Sequence, residues 1–224
     1  MARYAVIDVG TNSVKFHIGE KHADGTWTTV ADRSDVTRLG EGLNASDGAF
    51  TPEAMERTIV AIAGMAAEAQ RAGATAVAAV GTMGLRTARN SGDFVAEVVR
   101  RSGVRIEVIP GAEEARLAYL AVKSGLGLGA GSMVIFDTGG GSSQFTFGHG
   151  AAVTEQFSLN VGAVRLAEAY GLAGVVSPAE LQGAMDAIAA DLSRLDAAAV
   201  PDALRRNGRR GDQSHGRHAR PAHL

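Results

Sequence analysis

The sequence contains no cysteine and no long hydrophobic run. Without cysteine the chain can form neither disulfide bonds nor thiolate metal sites, and we expect a reducing compartment. Charged residues such as Glu68, Arg71 and Asp191 interrupt the alanine-rich segments, so that none approaches the roughly 20 apolar residues that cross a bilayer. The segment after Met1 also lacks the apolar region and cleavage site of a secretion signal. These absences favour a cytoplasmic protein without membrane contact.

Two common binding motifs are also missing. There is no G-x-x-x-x-G-K-[ST] segment, which excludes a Walker-type nucleotide site. His17, His22 and His149 are scattered and have no partner at a spacing typical of metal ligands. A histidine-based metal centre is therefore not expected.

The formal net charge of −2 is unevenly distributed. Residues 205–224 contain six arginines and one aspartate, a net charge of +5, which leaves −7 for the rest of the chain. A basic tail can bind nucleic acid or acidic lipid, although another origin of this tail is argued below. The overall composition, with 46% hydrophobic and 21% charged residues, is that of an ordinary globular protein.

Hydrophobic periodicity divides the chain into two successive α/β segments. The first opens with strands at 4–9, 14–19 and 27–32, followed by a helix that begins at the N-cap Thr51 and ends before Gly73. Further strands are predicted at 76–80, 105–109, 144–148 and 152–159, and further helices at 92–102, 113–123, 162–170 and 178–195. Because a strand followed by a glycine-rich turn begins again at Met133, we expect an internal repeat of architecture.

Each repeat contains a glycine turn after an apolar strand that ends in aspartate. The first turn consists of Gly10, Thr11, Asn12 and Ser13 and follows Asp8; the second turn consists of Gly139, Gly140, Gly141, Ser142 and Ser143 and follows Asp137. Bare amides and hydroxyl groups in such turns can hold phosphate, and the aspartates would be oxygen ligands for Mg²⁺. One such turn is equally well explained as a hairpin without a ligand. Two equivalent turns that face one another across a cleft favour phosphate binding.

Two other segments carry charges suited to phosphate chemistry. Arg86 lies in a polar segment after a buried strand, where it could contact an anion or remain a solvated loop residue. Glu113 and Glu114 lie at the start of a predicted helix, where favourable interaction with the helix dipole would explain them if they stood alone. Hydrolysis of a phosphoanhydride needs a carboxylate that orients or deprotonates water, so the two nearby phosphate turns favour a catalytic role.

Six ordered segments resemble the exopolyphosphatase and guanosine pentaphosphate phosphatase family, within the actin, Hsp70 and sugar-kinase superfamily. The similarity covers residues 4 to about 204. The segments are Ile7–Ser13, Thr37–Gly42, Thr82–Asn90, Pro110–Ala115, Asp137–Ser143 and Leu159–Leu166. The resemblance implies α/β architecture with two ribonuclease-H-like domains of the actin-like ATPase type in tandem. The first would span residues 1–124, and residues 125–204 would be the beginning of a second, truncated one.

The resemblance also implies an activity, namely the Mg²⁺-dependent removal of the terminal phosphate from inorganic polyphosphate or guanosine pentaphosphate. Glu114 would be the catalytic base, and Asp137 and Asp8 would serve the metal and the attacking water. Arg86 and the two turns would hold phosphate, with Arg38 as a second clamp. No nucleic-acid partner is expected, and the resemblance is compatible with a homodimer.

This sequence departs from the family pattern near the turns. Gln144 stands where the family usually has glutamate, which keeps an oxygen ligand for the metal but removes a charge. Met83-Gly84 replaces a common Ser-Ala, and Pro110-Gly111 replaces a common Ser-Gly. Two other functions therefore stay open. One is a phosphate or guanosine-tetraphosphate binding protein without turnover. The other is an ATP-dependent kinase of the same superfamily, which would not require the segments around Glu114 and Arg38.

The basic segment 205–224 is interpreted as the product of a frameshift. Family members continue with a strand and a glycine turn that resembles Val-Gly-x-Gly-Gly-x-x-Thr. Codons for residues 205–214, read one nucleotide later, can spell Val-Gly-Met-Gly-Gly-Ala-Val-Thr-Asn-Leu, which is this motif in its expected place. We therefore expect resequencing of the gene to show codons that encode the motif in the shifted frame. Codons at Arg205 to Gly211 that do not allow this shifted reading would exclude the hypothesis.

Overall fold

The computed structural model describes residues 1–43, 47–126, 131–150 and 152–195 and the backbone of residues 203–206. These residues form two α/β units, each built on one mixed sheet. Within this part of the chain, no helix is both long and apolar enough to cross a membrane.

The first unit contains a five-stranded sheet in the order β3-β2-β1-β4-β5. Strands β1 (Ala2–Val9), β2 (Val14–Lys21) and β3 (Trp27–Asp35) are antiparallel, whereas β4 (Ala74–Gly81) and β5 (Ile106–Val108) continue the sheet in parallel with β1. The alternation of apolar residues along β1 buries Ala5, Ile7 and Val9 on one face. The predicted strands of this segment are confirmed.

Three helices accompany the first sheet: α1 (Pro52–Arg71), α2 (Met83–Thr87) and α3 (Ser91–Ser102). Helix α1 begins as predicted, because the Thr51 hydroxyl accepts a hydrogen bond from the amide of Ala54 and proline occupies the first helical position. Helices α1 and α3 contact one another on the same face of the sheet. Their apolar side chains, including Ile62, Met65 and Phe94, complete a core with Phe16 and Ile18.

The second unit repeats the strand pattern of the first. Strands β6 (Ser132–Thr138), β7 (Ser143–His149) and β8 (Ala152–Leu159) are antiparallel, and β9 (Ala203–Arg206) pairs in parallel with β6 as β4 pairs with β1. The sheet order is β8-β7-β6-β9. Helices α5 (Ala163–Ala169) and α6 (Pro178–Leu192) follow β8, and a short 3₁₀ turn, Ser193–Leu195, extends α6. The expected internal repeat is therefore confirmed.

Strand β9 includes Arg205 and Arg206, the first residues of the segment that the frameshift hypothesis considers non-native. Their backbone pairs with Ile135 and Phe136 of β6. A strand thus forms from the residues as they are encoded. Residues 207–224 lie outside the described part of the chain, and the frameshift stays a prediction.

Helix α4 (Gly111–Leu126) connects the two units and packs on the second sheet. Tyr119 is fully buried against Met133 and Ile135, and its hydroxyl donates a hydrogen bond of 3.0 Å to the carbonyl oxygen of Gly150. The Thr146 hydroxyl of β7 donates to the carbonyl oxygen of Ala115 at 3.1 Å. A boundary after residue 124 assigns α4 to the first unit, but the packing of this helix joins it to the second.

Candidate active site

The first turn connects β1 to β2 in a tight hairpin. The Gly10 amide donates a hydrogen bond of 3.1 Å to the carbonyl oxygen of Ser13. A Cβ atom at position 10 would lie 2.9 Å from that oxygen, so glycine is needed for this approach. The amides of Thr11, Asn12 and Ser13 have no acceptor among the described residues, and they can therefore donate to an anion.

The second turn has the same geometry at the end of β6. The Gly139 amide donates to the carbonyl oxygen of Ser142 at 2.9 Å, which repeats the bond from Gly10 to Ser13. The turn is fixed from behind by α5, because the amides of Ala163 and Val164 donate to the carbonyl oxygens of Gly139 and Gly140 at 3.0 and 2.7 Å. These bonds engage turn carbonyls, whereas the amides of Gly140 and Gly141 have no acceptor in the described chain.

The serines that follow these glycines are buried and hydrogen-bonded. The Ser143 hydroxyl donates to the carbonyl oxygen of Val161 at 2.6 Å, and the amide group of Gln144 donates to the Ser142 hydroxyl at 2.7 Å. Ser143 therefore supports the turn, and phosphate contact from its hydroxyl would require a change of partner.

The two turns contact one another directly. A Cβ atom on Gly140 would lie 2.9 Å from Cβ of Asn12, and one on Gly141 would lie 3.2 Å from the Thr11 hydroxyl oxygen. Met83 also reaches this junction, since its terminal methyl group would lie 1.8 Å from a Cβ atom on Gly141. A pocket beside the junction is lined by Thr11, Gly40, Met83, Gly141, Arg165 and Glu168, among others. The two turns therefore face one another as expected, but they are in direct contact and the pocket lies beside them.

Asp8 and Asp137 occupy equivalent positions at the ends of β1 and β6. Across each hairpin, Asp8 pairs with Lys15 and Asp137 pairs with Gln144. The Lys15 ammonium lies 3.4 Å from one carboxylate oxygen of Asp8, and the other oxygen of Asp8 is buried without a hydrogen-bond partner. The first hairpin therefore places a cation beside its aspartate where the second hairpin places a neutral amide.

Lys15 is a site residue that the sequence analysis missed. Burial lowers the pKa of its ammonium, but the nearby carboxylates of Asp8, Asp137 and Glu114 outweigh this effect and raise the pKa above its usual range. Lys15 therefore contacts Asp8 and interacts electrostatically with all three predicted carboxylates. Hairpin pairing could have revealed it, because a tight turn over residues 10–13 places residue 15 opposite residue 8.

Glu114 lies in the first turn of α4 and is held by Arg86. Both terminal nitrogens of the Arg86 guanidinium donate to one Glu114 carboxylate oxygen, at 3.0 and 3.1 Å, and one of them also donates to the Ile109 carbonyl oxygen at 2.8 Å. Arg86 was expected to hold phosphate. In this structure its guanidinium contacts the carboxylate of the expected base, and phosphate contact by Arg86 stays a prediction.

Burial raises the pKa of the Glu114 carboxyl above its usual range, the Arg86 guanidinium opposes this change, and the Asp8 and Asp137 carboxylates add to it. Adjacent Glu113 differs, because it is more exposed than Glu114 and pairs with Arg116 at 2.7 Å on the helix surface. The pairing of Glu113 lowers its pKa. The two neighbouring carboxylates thus have different environments, and Glu114 is the one that is coupled to Asp8 and Asp137.

Arg38 lies in a loop that is fastened to the first turn. Its amide donates to the Asn12 carbonyl oxygen at 2.8 Å, and its backbone adopts a left-handed conformation with φ of 50°. Left-handed backbone is uncommon outside glycine and is typical of sites that the surrounding structure constrains. The exposed guanidinium has no partner among the described residues and is available to an anion.

The residues present are compatible with Mg²⁺. No group of three histidine or acidic side chains arranged for a metal was found in the described ranges. Mg²⁺, however, is usually held by one or two carboxylates together with water and substrate phosphate. Asp8, with its unpartnered buried oxygen, and Asp137 at the equivalent strand end supply such carboxylates, and Gln144, opposite Asp137, carries a neutral amide oxygen.

Comparison with solved structures identifies similar proteins. The Ppx/GppA family member from Aquifex aeolicus is 30% identical with a TM-score of 0.74; the match covers 92% of this chain and 66%, just under two thirds, of that chain. An exopolyphosphatase-like protein is 29% identical with a TM-score of 0.81, over 92% of this chain and 66% of the other. An exopolyphosphatase from Cytophaga hutchinsonii, 23% identical over 90% of this chain and 65% of its own, has the same fold with a TM-score of 0.82.

These neighbours and the repeated sheet topology show two α/β units in tandem, as expected. The model of the Ppx/GppA phosphatase family matches residues 18–208, most of the sequence. The chain therefore belongs to the Ppx/GppA phosphatase family.

Proposed function

We propose that the protein is a phosphoanhydride hydrolase that releases the terminal phosphate of inorganic polyphosphate or guanosine pentaphosphate with the help of Mg²⁺. The observation that carries this proposal is the position of Glu114, a half-buried carboxylate held by Arg86 and electrostatically coupled to Asp8 and Asp137 at the ends of β1 and β6. A general base near unengaged turn amides is an arrangement suited to water attack on a bound phosphate.

In the proposed reaction, the amides of the two turns hold the oxygens of the terminal phosphate. Glu114 accepts a proton from water as the water oxygen bonds to phosphorus, and the bond to the bridging oxygen breaks. The shortened chain leaves with the electron pair of that bond, and inorganic phosphate is released. Mg²⁺, held by Asp8 and Asp137 with Gln144 as a neutral neighbour, would neutralise phosphate charge when bound. Arg86 keeps the Glu114 carboxylate oriented and ionised.

Glu114 also separates the proposal from its alternatives. A kinase transfers phosphate to a substrate hydroxyl and has no need of a base that activates water at this point. A binding protein without turnover is favoured by Gln144, which lacks the charge of the usual family glutamate. Phosphate release from polyphosphate and from guanosine pentaphosphate, measured with Mg²⁺ on this chain, distinguishes the hydrolase from the binding protein.

Replacement of Glu114 by glutamine should remove the base. We expect the rate of phosphate release to fall by about 10²–10⁴-fold, while binding of tripolyphosphate, measured by calorimetry, changes little. Glu113→Gln is the matched control, because Glu113 is the adjacent carboxylate but pairs with Arg116 on the surface. Equal rates in Glu114→Gln and Glu113→Gln would contradict the assignment of the base.

The pH dependence of the rate should follow the carboxyl of Glu114. The base acts when deprotonated, so the rate should rise with pH, and the raised pKa places this rise above the usual range for glutamate. Among the charged groups that face Glu114, Asp8 and Asp137 raise the pKa and Arg86 lowers it. Arg86→Gln should therefore shift the acid limb of the kcat/KM profile to higher pH. A limb that stays in place or moves to lower pH would contradict this electrostatic role.

Met83 should limit access of phosphate to the junction of the turns. Its side chain is 8% exposed and contacts Gly141, and the Thr87 hydroxyl lies 3.6 Å from its sulfur. Met83→Ser removes the methyl group that occupies this space and introduces the residue that is common in the family. We expect a several-fold lower Kd for tripolyphosphate by calorimetry, with exposed Met185→Ser unchanged as the control. Weaker binding by the Met83 variant would show that the methionine supports the site.

A further inference from the structure

We propose that Glu168 is a positioning residue of the phosphate site. It sets the spacing of the two turns without contacting the reacting atoms. The expected effect on KM rests on the proposed function, whereas the expected effect on the contact between the two units does not. Glu168 lies on α5 of the second unit, and its carboxylate accepts a hydrogen bond of 3.0 Å from the amide of Gly42 in the first unit. The contact therefore bridges the two units beside the junction of the turns.

The Gly42 side of this contact belongs to a loop bound tightly to the first turn. The amide of Gly40 donates to the Thr11 carbonyl oxygen at 2.8 Å, and the amide of Arg38 donates to the Asn12 carbonyl oxygen at the same distance. A Cβ atom on Gly40 would lie 2.2 Å from the Thr11 methyl group, so the two segments are in close contact. Loop residues 37–42 and the first turn consequently form one packed element.

Helix α1 anchors the same loop from the other side. Arg57 donates to the Thr37 carbonyl oxygen at 3.1 Å and forms an ion pair with Glu41. Gly42 itself has a left-handed backbone with φ of 74°, and a Cβ atom there would lie 3.3 Å from the Thr51 methyl group. The amide that faces Glu168 is thus presented by a loop with several independent attachments.

The Glu168 side belongs to a helix bound tightly to the second turn. The amides of Ala163, Val164 and Arg165 all donate to carbonyl oxygens of that turn. A Cβ atom on Gly162 would lie 2.3 Å from the carbonyl carbon of Gly141, so the helix begins in direct contact with the turn. The bond between Glu168 and Gly42 therefore joins two packed elements, each of which carries one phosphate turn.

Loss of this bond should loosen the turns without disturbing the base. Glu114, Arg86 and Ile109 lie on other elements and share no hydrogen bond with Glu168. In Glu168→Ala we expect KM, and the Kd for inorganic tripolyphosphate with Mg²⁺, to rise about three- to tenfold, with little change in kcat. Glu168→Gln keeps a carbonyl oxygen that can accept from Gly42, so it should restore most of the affinity. Glu155→Ala removes an exposed carboxylate from β8 and serves as the control.

Amide exchange of Gly42, measured by NMR, tests the contact without reference to activity. Exchange should accelerate about three- to tenfold in Glu168→Ala, remain near the wild-type rate in Glu168→Gln and be unchanged in Glu155→Ala. Unchanged exchange in Glu168→Ala would overturn the inference, and so would faster exchange with unaltered tripolyphosphate affinity. If the wild-type chain releases no phosphate but exchange and affinity respond as expected, the proposed hydrolysis fails while the positioning role stands.

Discussion

Direct contact between the two glycine turns is the constraint on which the rest of this structure depends. The contact requires a residue without a Cβ atom at Gly140, where such an atom would lie 2.9 Å from Cβ of Asn12. Gly162 is needed for the packing of α5 on the second turn, because a Cβ atom there would lie 2.3 Å from the carbonyl carbon of Gly141. The two turns also fix the ends of β1 and β6, where Asp8 and Asp137 lie. Backbone packing, rather than ion pairing, therefore determines how far apart the carboxylates of the two sheets stand.

The two hairpins repeat one backbone but carry different charges. Lys15 and Gln144 occupy matching positions opposite the two aspartates, so the cation of the first hairpin has no counterpart in the second. Asp8 and Asp137 are both coupled electrostatically to Glu114, and all three carboxylates are coupled to Lys15. A cluster of carboxylates stabilises bound cations and raises the pKa of a carboxyl group within it. Both effects suit a site in which a metal ion and a general base act on one phosphate.

Local features of the fold could be predicted from the sequence, whereas features that depend on packing could not. The hairpin around the first turn and the start of α1 at Thr51 follow from turn residues, a cap and proline, which act within a few positions. The packing of α4 on the second sheet, by contrast, depends on Tyr119 meeting Met133 and Ile135 after the chain has folded. The partner of Arg86 was missed for the same reason, because Glu114 lies 28 residues further along the chain.

The position of α4 couples the base to the relative placement of the two units. Glu114 lies on a helix that packs on the second sheet, whereas Arg86 and Ile109 belong to the first unit. Movement of one unit relative to the other would therefore act on the contact between Glu114 and Arg86, whose guanidinium favours the ionised carboxylate. In the proposed reaction, a substrate that bridges both turns would hold the two units in the arrangement in which Arg86 orients Glu114 to accept a proton from water.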